Sequence, residues 1–104
     1  MTYSLRRVRD DAGDAGGMCT GYIPVYDPDT NECIDITVVD NARPQVGMSL
    51  RVGSIYARTY SAQDWWQTTL ITEIIDEWTE TEDDCITECV RFKTGNSIYI
   101  WKKF

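Results

Sequence analysis

A chain of 104 residues with 42% hydrophobic and 26% charged side chains has the make-up of one globular domain able to bury a core of its own. Its net charge of −7 and pI near 4.4 speak against a general phosphate-binding surface and against an anionic membrane, and leave a basic protein partner open. It has no histidine, which removes the commonest general base, the Ser-His and Cys-His nucleophile pairs and every imidazole zinc site, so no enzyme is expected.

Thr, Val, Ile, Tyr and Trp dominate and alanine is sparse, the composition of strands. Residues 1–9, with TYSLRRV, read as a short strand. No apolar segment follows this basic opening, and no apolar run approaches the roughly 18 residues that span a bilayer, so neither a secretory signal nor a membrane span is expected and the expected location is the cytoplasm. The Gly-rich, acidic DDAGDAGG (Asp10 to Gly17) reads as a flexible loop. GYIPVYDPDTNECIDITVV then reads as a hairpin whose arms are YIPVY and CIDITVV and whose turn is DPDTNE, with Pro24 marking an edge position.

A second loop, DNARPQVGM (Asp40 to Met48), precedes SLRVGSIYARTY, a strand in which Gly53 can mark a bulge. Ser61 and Asp64 resemble a capping box and predict one helical turn. QTTLITEIIDEW fits either period, and Thr68, Thr69 and Thr72 tip it to a strand. The run DEWTETEDDC reads as a loop between strands, with Trp78 pointing inward. CVRFKT-GN-SIYIW reads as a hairpin turning at Gly95-Asn96. Val90, Phe92, Tyr99 and Trp101 share its buried face; Arg91 and Lys93 share the other with Ile98 and Ile100. These elements predict a mainly β fold: a small, SH3-like, partly open barrel from residues 46–104, with residues 1–43 adding a strand and a hairpin to the same domain.

Four cysteines, Cys19, Cys33, Cys85 and Cys89, admit three readings: small apolar residues, a zinc site, or a disulfide. The spacing is poor for zinc, and on a strand Cys85 and Cys89 stand about 13 Å apart, too far for one bond. Asp27, Asp29, Asn31 and Asp35 partly match a calcium loop, yet Glu32 stands where glycine belongs and Val38 where a bidentate glutamate belongs, which favours a plain Asx-rich turn. No cofactor is therefore expected.

Trp65 and Trp66 are adjacent, so on a strand one faces the core and the other is free to anchor a partner or stack on a base. Base stacking needs a basic groove, for which Arg51, Arg58, Arg91, Lys93, Lys102 and Lys103 are the available cations. Eight of the seventeen carboxylates lie between Glu73 and Glu88. Such a run is either a solvated segment that keeps a sheet edge from aggregating, or a surface that imitates phosphate spacing and occupies a basic groove. The expected protein-binding residues are Trp65, Trp66, Glu80, Glu82, Asp83 and Asp84.

VRFKTGNSIYIW (residues 90–101), with VGSIYARTYSAQDWWQTTLITEI (residues 52–74), resembles a pattern recurring in small proteins of bacteriophages and mobile elements, over about residues 46–101. The resemblance implies an accessory or host-takeover protein, a group that includes acidic inhibitors of CRISPR and other defence machines. The expected function is thus binding, and modulation or inhibition, of a host protein with a basic surface. The alternatives are a barrel that binds single-stranded nucleic acid through Trp65 or Trp66, which the charge disfavours, and a self-associating structural or assembly protein of a virion or mobile element.

Overall fold

The structure is a computed structural model that describes residues 2–54 and 65–104. Nine strands and no helix occur among the described residues: β1 (Tyr3–Arg7), β2 (Gly13–Gly16), β3 (Met18–Tyr26), β4 (Cys33–Asp40), β5 (Ser49–Gly53), β6 (Trp65–Gln67), β7 (Ile71–Glu82), β8 (Cys85–Thr94) and β9 (Ile98–Lys103). They form two antiparallel sheets, one of five strands in the order β2-β1-β9-β8-β7 and one of four in the order β4-β3-β5-β6.

Alternation decides which side chains meet between the sheets. Tyr3 and Leu5 of β1, Leu50 and Val52 of β5, Val90 and Phe92 of β8, and Tyr99 and Trp101 of β9 all point inward and are buried. Ala42 and Met48 close the core from the loop between β4 and β5. Phe92 and Tyr99 stack at 5.6 Å, and Tyr3 tilts against Trp101 at 6.1 Å. The face expected for the C-terminal hairpin is the buried one, and Arg91 and Lys93 pair across with Ile100 and Ile98 on the other side.

The mainly β expectation holds, but the SH3-like barrel does not form. Neither sheet closes, and β6 and β7 are edges of different sheets. The reason lies in residues 1–43, which do more than decorate the fold. β1 takes the place beside β9 and β3 the place beside β5, so the β5–β6 and β7–β8–β9 groups of residues 46–104 are each extended by an N-terminal strand and do not join to each other. Tyr3, Leu5, Cys19 and Ala42 are core residues.

Three local expectations change as well. DDAGDAGG is not all loop: Gly13–Gly16 pairs with β1, after a turn in which Arg7 donates to Asp10 through Nε at 2.9 Å and Nη2 at 2.7 Å. Its small, acidic composition hides a strand that β1 templates. Gly53 keeps unbroken register with both neighbours, while irregular steps fall at Val25/Tyr26 and twice in β7. The DEWTETEDDC run is mostly strand, as developed below. The capping box at Ser61 and Asp64, the end of the SLRVGSIYARTY strand, and Arg58 lie outside the described residues. Pro24 does sit where β3 is bonded on one side only, because pairing with β5 stops at Tyr22.

Candidate interaction surfaces

The acidic run forms the far end of a β-ribbon. β7 continues to Glu82, β8 begins at Cys85, and Asp83 and Asp84 make the turn with φ of 48° and 65°. Both are left-handed, as a two-residue primed turn requires, and aspartate is among the few residues that tolerate this. Threonines at 79 and 81 alternate with glutamates at 80 and 82, a period-2 pattern that suits a ribbon with both faces wet. β9 supports β8 only as far as Glu88, paired with Lys103. The last three pairs, Glu80↔Thr87, Thr81↔Ile86 and Glu82↔Cys85, stand beyond it, an overhang of about 10 Å.

The six acids of this run divide in two. Asp76 accepts from Arg91 Nη2 at 2.6 Å and Nε at 2.9 Å, and Glu77 is paired with Arg43 at 3.0 Å. Glu80 accepts from the Trp78 indole at 3.2 Å and from Lys102 at 3.3 Å, and these bonds lower its pKa. Glu82, Asp83 and Asp84 have no cation within 4.0 Å among the described residues. Of the expected acidic contacts, Glu80 is therefore engaged internally and three carboxylates remain at the tip. Ile86, 66% exposed, stands beside them. Trp78 is half-buried and lies across from Cys89.

Trp65 and Trp66 face opposite ways, as alternation demands. Trp66 pairs with the core residue Val52, packs against the core and donates to the Tyr99 hydroxyl at 3.4 Å. Trp65 lies on the outer face, with the Arg51 guanidinium 4.1 Å from its ring centre and 5.1 Å from that of Tyr22. Arg51 also holds Gln67. One face of the Trp65 ring is thus occupied by the protein itself. The tryptophans and the acidic tip do not form one site: Trp66 contacts Tyr99, Tyr99 pairs with Phe92, and Phe92 is seven residues from Cys85, about 23 Å along β8.

The cysteines are free and scattered. Cys19 is buried, donates to the Ala42 carbonyl at 3.2 Å and accepts from the Trp101 indole at 3.4 Å; burial pushes its thiol up to about 11. Cys89 is also buried, and that burial raises its pKa, while Cys33 and Cys85 are exposed. Among the described residues no three Cys, Asp or Glu side chains gather to hold a metal, so neither the zinc set nor the calcium set is assembled. Asp27 instead caps its own turn by accepting from the Asp29 backbone at 2.8 Å, and Asp35 sits away on β4, accepting from Ile36. The spacing that resembled a calcium loop is an Asx turn followed by a strand.

At the end of β8 opposite the acidic tip, a cleft of about 510 Å³ is lined by Arg7, Arg9, Trp66, Asn96, Ser97 and Tyr99. Its residues come from both ends and the middle of the chain, so no local motif marks it. The molecule is consequently polarised, with uncompensated carboxylates at one end of β8 and arginines at the other. Comparison of the chain with protein-family models, with curated proteins and with solved structures finds no match.

Proposed function

We propose that this chain acts by binding rather than by catalysis, docking the tip of its β7–β8 ribbon onto a basic surface of a host protein and so modulating or inhibiting it. The observation that carries this reading is the tip itself. Glu82, Asp83 and Asp84 have no cationic partner among the described residues and are held at and beside a two-residue turn that projects past the supporting strand. Carboxylates fixed in this way lose little freedom on binding, and an electropositive groove supplies the missing cations. The exposed Ile86 adds an apolar contact at the same place. A nucleic-acid-handling complex has the groove such a tip suits, in keeping with the resemblance to phage and mobile-element proteins, and the site of action would be the host cytoplasm.

The test uses charge removal without disturbing the turn. Asparagine tolerates the left-handed conformation of Asp83 and Asp84, so the variant E82Q/D83N/D84N keeps the ribbon and removes three charges. The wild-type chain immobilised in bacterial lysate should retain a basic protein, progressively released by salt, and the triple variant should lose it. Equal retention by both, or binding indifferent to salt, overturns the proposal.

A further inference from the structure

Among the described residues the two sheets have four edges, of which three are built to resist pairing and one is not. β2 has four residues and β6 has three described residues. β7 is long but twice irregular, and it carries Glu73, Asp76, Glu77, Glu80 and Glu82. Short, bulged and charged edges are the usual defences against another strand. β4 has eight residues, no proline and only Asp35 and Asp40 as charges, fewer than half the five that β7 carries, and its only irregular step lies at its start, beside Ile34. From Asp35 to Asp40 its ladder with β3 is regular, which leaves the groups on its free side aligned for a further strand.

The side chains on this edge are apolar where water would be expected. Val39 packs against the core, so Ile36 and Val38 point to the opposite face, where they are 54% and 57% exposed. Their cross-strand neighbours on β3 are Pro24 and Tyr22, which extend the same patch. Ile34 is 62% exposed next to it.

We infer that β4 pairs antiparallel with β4 of a second copy of this chain, about a two-fold axis through Thr37, joining the two four-stranded sheets into one. The sequence of the strand is self-complementary in that register. Ile36 meets Val38 of the other copy twice, Thr37 meets Thr37, and Asp35 meets Val39, so no two like charges oppose each other. A shift to an axis through Ile36 would set Asp40 against Glu32, which disfavours it. The acidic turn at Asp27–Glu32 does not oppose the pairing, because the antiparallel arrangement carries the two turns to opposite ends, about 50 Å apart and far beyond the screening length. An unrelated extended peptide could use the same backbone groups, but it would have no reason to match this register.

Sedimentation of the full chain tests the inference. The wild type should be a dimer whose dissociation constant is nearly independent of salt, unlike the salt-sensitive docking of the acidic tip. I36K and V38K change exposed positions and should each raise that constant about 10-fold or more while the near-ultraviolet circular dichroism stays the same. A second measurement fixes the register: in a C33S/C85S background, T37C should cross-link into a dimer on oxidation and V39C should not. A chain that is monomeric at millimolar concentration, a dimer that I36K and V38K leave intact, or cross-linking from V39C in place of T37C each overturns the inference.

Discussion

Replacing Gly16 with alanine should pry the two sheets apart. Gly16 ends β2 in the five-stranded sheet, and the backbone of Gly53, which ends β5 in the four-stranded sheet, lies directly against it. A Cβ at position 16 would stand 2.2 Å from the Gly53 carbonyl oxygen, 2.5 Å from its carbon and 2.8 Å from the Ser54 nitrogen. The closest of these is 0.8 Å inside the 3.0 Å that real Cβ atoms keep (3.0 minus 2.2). All three obstacles are backbone, so no side chain can swing away. On one side Val52 is locked in the core; on the other Gly16 is paired with Tyr3, which packs on Trp101. Overpacking of this kind costs about 1–3 kcal/mol, and the upper part of that range applies where only backbone can yield. For a domain of this size each kcal/mol lowers the melting temperature by about 4–8 °C, so G16A should melt about 10 °C or more below wild type. Thermal unfolding followed by circular dichroism and tryptophan fluorescence measures this. Gly95 is the control: nothing lies within 4 Å of its added Cβ, and G95A should stay within about 0.5 kcal/mol of wild type. A G16A protein melting within about 2 °C of wild type, or a G95A protein equally destabilised, would refute the close approach of the sheets.

Native alkylation should sort the cysteines: iodoacetamide at pH 8 is expected to label Cys33 and Cys85 and to reach Cys19 and Cys89 only after unfolding, read by peptide mass spectrometry, and early labelling of Cys19 would contradict its place in the core. Asp10, held by Arg7 through both carboxylate oxygens, should titrate at about 2 in a carboxyl NMR experiment. Because that value lies below the unfolded one, the contact supports folding at neutral pH and its contribution is lost as the pH falls from about 4 through about 2; R7Q should return Asp10 to the ordinary carboxylate range.

Much of the fold was legible because period-2 patterns are local. TYSLRRV, YIPVY with CIDITVV, SLRVG and the C-terminal hairpin are each strands over most of the expected span. The buried face Val90–Phe92–Tyr99–Trp101 could be read from alternation alone. The C-terminal turn shows the limit of such reading. Gly95 and Asn96 do connect the strands, with Thr94 donating to the Ser97 carbonyl at 2.8 Å, but neither residue takes a positive φ. The Thr94 hydroxyl accepts from the Asn96 and Ser97 backbones instead and stabilises the reversal. At the other hairpin the primed turn is made by Asp83-Asp84, a pair that composition assigned to an acidic loop.

The binding surface was legible only in outline. Charge density marked the segment from Glu73 to Glu88, but sequence does not say which carboxylates find partners. Arg43, Arg91 and Lys102 reach Glu77, Asp76 and Glu80 from other parts of the chain, and among the six acids of DEWTETEDDC their pairing leaves Glu82, Asp83 and Asp84 without a cation among the described residues. The exposed row on β4 was likewise invisible. CIDITVV reads the same whether its apolar face is covered or bare.

The sequence by itself determined the all-β character, the hairpins and the lack of histidine chemistry, since these follow from side-chain type and from neighbours a few residues apart. Only the tertiary structure decided that β1 and β3 complete sheets begun elsewhere, that β4 is left open, and that the acidic ribbon outruns its support. Those outcomes depend on which distant strands pair with one another. Pairing between distant strands is selected by the core that both sheets bury together, so no local stretch of the chain carries the information alone.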